Sequence, residues 1–346
     1  MQDKVSREIE RTGRNLLITN VVVLTLTLLM VASGYKYWYN FFYGPFQMDN
    51  KTLGSLKQRS DSAKYFVHIK GDKTFDTGAQ EVYETRDKKS GEVKSQDLRA
   101  QYLVTVVDHK LMIVKAPPGT PSTATEFEGE IRNISADEAN HVAEPILKDG
   151  YPVLPVMLDV NDFKTSGYIG IFFSTILIGI ALWNLRKCVT WKNEPDKHPL
   201  MKELMKLGDP RQMRTKLNDE LNSADLVNVG KFFMTPTWIG SKGMYDVRLT
   251  ALDHLLWIYK LRTQRSINFI PTGSSYDVII KTKEGKELRY PGNEKEIDSL
   301  VRSVAERAPW VIAGYSDDLN RTWGKNWREF LDGVEARKQE YNKKPM

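Results

Sequence analysis

Lys242, Arg248, Lys260, Arg262 and Arg265 are the residues whose type and grouping come nearest to a binding chemistry. They fall on neighbouring predicted strands and turns, where ammonium and guanidinium groups could share one anion. The competing reading is a solvated basic surface beside an anionic membrane. A second polar set, Asp72, Asp76, Asp108 and His109, lies at predicted strand ends, where such residues ordinarily build turns.

The rest of the chain offers little to catalysis. Its single cysteine, Cys188, excludes an intramolecular disulfide and a multi-thiolate metal site. Five histidines, at 68, 109, 141, 198 and 254, include no pair three or four apart, the spacing that puts two imidazoles on one helix face. They read as surface or hydrogen-bonded side chains. No Walker A, dinucleotide-binding glycine fingerprint, G-x-S-x-G, H-E-x-x-H or C-x-x-C motif occurs. Gly240-Ser-Lys-Gly243 is glycine-rich but lacks the strand and helix that flank a phosphate loop, and it reads as a strand-connecting turn. No catalytic residue, metal or cofactor is therefore assigned. An enzyme remains conceivable only if a deep pocket joins His109 or nearby aspartates.

Two apolar runs dictate what carries these residues. Residues 16–34 and 167–185 hold 19 residues each and no charge. As helices each would cover roughly 28 Å, about one hydrocarbon core. Tyr35, Tyr37, Trp38, Tyr39, Phe41, Phe42 and Tyr43 follow the first, and Tyr168 and Trp183 mark the ends of the second, as interfacial aromatics do. The first run is longer than a signal h-region and lacks a small-residue cleavage site, which favours a retained anchor. Gly170 with Ser174, and Thr175 with Gly179, permit close helix approach. Neither span contains a charge, which argues against an ion path made by one copy.

Orientation follows from the flanks. Lys4, Arg7, Arg11 and Arg14 precede the first span, and Arg186, Lys187, Lys192 and Lys197 follow the second. The inner flanks are poorer in cations, so both termini are expected in the cytoplasm of a two-pass inner-membrane protein. The chain then divides into a tail (1–15), a span (16–34), an extracytoplasmic β-rich domain (35–166), a span (167–185), a helical linker (186–222) and a cytoplasmic domain (223–346). Residues 186–346 carry 29 Lys and Arg against 22 Asp and Glu. That excess suits anionic headgroups but is too diffuse for nucleic acid.

In the outer domain, strands are expected at 63–70, 80–86, 100–107, 110–115 and 127–132, with a tight hairpin at Asp108-His109 and a helix over 137–146. Residues 151–159, with two prolines, read as an extended connector. The shape expected is a small barrel, OB-like, or a sandwich. In the inner domain, helices are expected at 200–207 and from Pro210 to about 221, with Asp209 as N-cap. Strands follow at 226–235, 246–249, 255–261, 266–270, 276–282 and 287–290, then helices at 294–307 and 319–341. Trp323, Trp327, Phe330 and Val334 form one stripe on the last helix, read as packing on the core.

The two-span layout resembles an uncharacterised group of bacterial membrane proteins. The resemblance rests on Lys64-Tyr-Phe-Val-His-Ile-Lys-Gly-Asp-Lys-Thr-Phe-Asp-Thr-Gly78, Leu111-Met-Ile-Val-Lys-Ala-Pro117, Leu256-Trp-Ile-Tyr259 and Ala308-Pro-Trp-Val-Ile-Ala-Gly-Tyr315. The C-terminal part is similar in layout to bacterial pleckstrin-homology-like membrane domains. That resemblance implies a membrane α+β architecture and brings no activity. In pleckstrin-homology-like folds a basic mouth at the strand loops can hold a phospholipid headgroup, which is what it implies for Lys242, Arg248, Lys260, Arg262 and Arg265. The leading expectation is a non-enzymatic membrane adaptor or scaffold, with membrane lipids and a protein partner or second copy as its contacts. The alternatives are a transmembrane signalling or envelope-stress sensor, and a membrane enzyme with a site outside known motifs.

Overall fold

The computed structural model describes residues 3–87, 90–161, 163–267 and 270–343, without the side chains of residues 265, 267, 270–272 and 342. The chain is mixed α+β and forms two compact units, one of residues 23–179 and one of residues 1–22 with 180–346. Its two longest apolar helices, Lys4–Ser33 and Thr165–Asn193, are each long and apolar enough to cross a membrane.

The 23–179 unit is built on a seven-stranded sheet of Phe46–Gln47 (β1), Phe66–Lys70 (β2), Thr74–Arg86 (β3), Val93–Val107 (β4), Lys110–Ala116 (β5), Glu126–Asn133 (β6) and Val153–Asp159 (β7). The strand order is β1-β2-β6-β7-β5-β4-β3. β5 is apolar on both faces, as a central strand must be. Met112 and Val114 join Phe66, Leu103 and Leu158 in one cluster, while Ile113 joins Tyr102, Val142 and Met157 in another. A helical stretch from Ala136 to Lys148 supplies Val142 and Ala143 to that second face. Asp108 and His109 both have positive φ, +47° and +63°, the left-handed pair that a two-residue hairpin of this twist requires.

Residues 151–159 correct the sequence reading. They are not a connector: β7 sits between β6 and β5. Leu154, Val156 and Leu158 face one cluster and Met157 the other, the alternation of a strand. Pro155 is tolerated because the pairing with β5 jumps from Leu111–Val153 to Ile113–Met157, leaving it in a bulge without a ladder partner.

The short helix Tyr35–Tyr43 docks on this sheet through buried Asn40. Its Oδ1 accepts from the backbone N–H groups of Tyr65 (2.7 Å) and Phe66 (3.1 Å), and its Nδ2 donates to the carbonyl of Ala63 (2.8 Å). Small residues matter here, since a Cβ at Gly167 or Gly170 would meet the rings of Phe41 or Trp38.

In the other unit a four-stranded antiparallel meander comprises Val227–Val229 (β8), Phe232–Met234 (β9), Trp238–Lys242 (β10) and Val247–Ala251 (β11). Leu255–Ile267 (β12), Ile270–Thr282 (β13) and Glu287–Gly292 (β14) form a second meander, extended by Ile312–Ala313 (β15) alongside β12. Here too one expectation is overturned. Gly240, Ser241 and Lys242 are strand, not turn; Gly240 lacks the Cβ that would strike the Phe233 ring and the carbonyl of Arg248.

Helix Glu294–Arg307, capped by the Asn293 side chain, lays Ile297, Leu300 and Val304 against Phe232, Ile258 and Val278. Asp317–Lys343 is two helical stretches joined at a non-helical Asn326. It buries Phe330 and Val334 against Trp257 and Ile279 with Trp323 beside them, so these three residues of the stripe pack on the core, and Trp327 is not part of that cluster. Residues expected as an N-terminal tail are helical from Lys4. Val5 and Ile9 are buried with Leu204, Leu217, Phe233 and Trp238.

Candidate functional site

Lys242, the last residue of β10, pairs with Glu8 at 2.9 Å. Arg248 on β11 donates to Asp246 at 2.8 Å and lies over the Tyr290 ring. Because Ser241 is opposite Arg248 and Lys242 opposite Val247, the two cations point to opposite faces of the sheet. Lys260 on β12 reaches Asp298 (2.8 Å) and Glu294 (3.2 Å) on the capping helix. Arg262, two residues on and on the same strand face, donates to the Ser274 hydroxyl at 3.1 Å. The side chain of Arg265 lies outside the described residues. The set is thus spread over two sheets, and three of its members already meet carboxylates.

The 23–179 unit contains an open groove of about 630 Å³ between the β3–β5 end of its sheet and the Ala136–Lys148 stretch. Phe75, Val104, Leu111 and Val142 give it apolar walls, and Asp76, His109 and His141 are polar members of its lining. Two of the four residues singled out at strand ends therefore come together here, while Asp72 and Asp108 do not line it. In the sequence His141 reads only as a surface or hydrogen-bonded side chain, because only the folded helix brings it to the hairpin. Its Nδ1 is held by the carbonyl of Asp137 at 2.9 Å. Among the described residues no hydrogen bond joins His109 to a carboxylate, and no three metal-ligating side chains converge. Among the described residues of its lining, the groove presents no hydrogen-bonded base–nucleophile pair.

A charge network on the same unit pins the helical stretch to the sheet. Arg132 on β6 donates through both terminal nitrogens to Glu138 and lies 2.9 Å from Asp159 through Nε. Burial acts to raise the Glu138 carboxyl, but hydrogen bonds from Ser135 and Arg132 hold it below its ordinary value. The Tyr102 hydroxyl donates towards both Glu81 and Glu138 (3.3 Å each); burial, then those two charges, push its pKa well up. Such a network is structural, since every charge in it already has a partner.

His198 is a further buried group. Its Nδ1 accepts from the Leu200 N–H at 3.1 Å, so its Nε2–H donates to Thr12 Oγ1 at 3.0 Å. Burial pushes its pKa down to about 4, leaving a neutral ring that ties the N-terminal helix to the segment after the second long helix.

Residues 189–323 match the family model of a domain of unknown function (DUF6709), from the end of the second long helix through β15 into the last helix. No curated protein matches the chain in sequence.

Proposed function

We propose that the chain is a two-pass membrane adaptor or scaffold, with both termini in the cytoplasm and residues 35–166 outside. The observation that carries this reading is the bareness of the two apolar helices. Only 11% of the first apolar window and 6% of the second is buried. A helix in a soluble core would be mostly covered, whereas Met30 (76% exposed) and Phe172 (61%) require another apolar solvent. A removable leader is disfavoured because Val5, Ile9 and Thr12 pack into the core and hydrogen bonds of the 180–346 segment.

Further support comes from the inner unit, where four strands, then three, then a capping helix follow the order of a pleckstrin-homology-like module. For the outer unit, a seven-stranded sheet with an apolar cluster on each face supports a β-rich domain. The absence of a legible base–nucleophile pair among the described residues favours binding over catalysis. The groove with His109 and His141 keeps an enzyme as the second reading.

Extraction into native nanodiscs followed by mass measurement tests the scaffold reading. A stoichiometric partner or a homo-oligomer is expected. A lone monomer would count against it.

A further inference from the structure

Where the N-terminal helix passes the end of the second long helix, within the unit of residues 1–22 and 180–346, the surface opens into a groove of about 480 Å³. That is within the roughly 300–1,000 Å³ usual for small-molecule sites. Ile9, Leu17, Cys188 and Val189 contribute apolar walls, and Trp191 closes one side against His198. Leu17 and Val189 are 42% and 58% exposed, so the apolar lining continues onto the bare face of the helices. Gly13 lies in the lining, and a Cβ there would meet nothing within 4 Å.

Two cations stand in this lining, Arg14 and Lys192, both exposed and neither in an ion pair among the described residues. Arg14 is two residues before the uncharged run and Lys192 follows the other run, so both fall at headgroup depth. The one acid in the lining, Glu10, is a helical turn further from the apolar run than Arg14. An apolar trough capped by unpaired cations is complementary to an acyl chain joined to a phosphate.

We propose that this groove holds one anionic phospholipid, its phosphate between Arg14 and Lys192 and its upper acyl chain along Leu17 and Val189. The proposal rests on the membrane reading above and adds a specific ligand to it. Free phosphate would use the cations but not the apolar walls, so binding is expected to require the acyl chain.

The test uses the full chain in mild detergent, offered phosphatidylglycerol, phosphatidylcholine or inorganic phosphate, with bound ligand counted by native mass spectrometry. One phosphatidylglycerol should be retained in preference to phosphatidylcholine, and inorganic phosphate should not compete it off. Arg14→Gln with Lys192→Gln should weaken retention roughly fivefold for each cation, about 30-fold together. Gly13→Leu, which fills the trough without a clash at Cβ, should reduce retention of both lipids. Lys242→Gln with Arg248→Gln should leave retention unchanged. Equal retention of the two phospholipids by wild type and double variant overturns the proposal, as does loss of selectivity only in the Lys242/Arg248 variant. A chain that stays dispersed without detergent would instead overturn the membrane reading itself.

Discussion

Lys242, Arg248 and Lys260 each meet a carboxylate, whereas Arg14 and Lys192 form no ion pair among the described residues. In the sequence the first set looks like the binding site and the second like routine flanks of an apolar run. Folding reverses this. Glu8 of the N-terminal helix reaches Lys242, Asp246 lies two residues before Arg248, and the capping helix brings Glu294 and Asp298 to Lys260, while among the described residues no acid pairs with Arg14 or Lys192. An anion responds to the potential left after internal pairing, so counting cations along a chain overstates the neutralised set.

The most engaged cation should show the largest effect on stability. Arg132→Ala would strand Glu138 and Asp159, half-buried or deeper, and is expected to destabilise the 23–179 unit by about 3 kcal/mol. Thermal unfolding in detergent checks it; a shift no larger than that of a surface lysine would erase the distinction between the two classes.

Acid should dissolve the pairing next. His198 has a folded pKa of about 4, below its ordinary 6.5, so its contribution is full above pH 6.5 and falls as pH drops towards 4. Glu138 is also held below its unfolded value, so its contribution is present above the ordinary carboxylate pKa and is lost only as pH falls through its own depressed one. Hydrogen exchange, corrected for its intrinsic pH dependence, should therefore show segment 198–205 loosening at higher pH than segment 132–143. The reverse order would contradict both assignments.

Two smaller effects complete the series. Lys242→Ala, breaking a half-exposed pair with Glu8, should cost up to about 1 kcal/mol. Arg14→Ala with Lys192→Ala should change unfolding by no more than about 0.5 kcal/mol, because neither charge is in an ion pair among the described residues. A large destabilisation there would mean these cations are structural after all.

Much of this architecture was legible in local residue choice. Asp209 accepts from the N–H groups of Arg211 and Gln212, with Pro210 at the first helical position, as their order implies. The Asp108-His109 hairpin and the Glu294–Arg307 helix were equally readable, because each is decided by a few neighbouring residues. What escaped depends on distant partners. β7 is a strand because β5 and β6 enclose it, despite Pro155. The Gly240 segment is a strand because Phe233 needs the space above it. Val5 and Ile9 are core because Leu204 and Leu217 meet them from across the chain. The groove at Gly13 and Val189 has the same origin: its walls are about half the sequence apart.

The central claim, two passes with residues 35–166 outside, is tested most directly by side-specific cysteine labelling. In a Cys188→Ser background, an impermeant maleimide is applied to intact cells or right-side-out vesicles carrying Ser122→Cys or Lys295→Cys, both at exposed positions. Labelling of Ser122→Cys at once, and of Lys295→Cys only after permeabilisation, is the predicted result. Labelling of both, of neither, or in the opposite order before permeabilisation would contradict it.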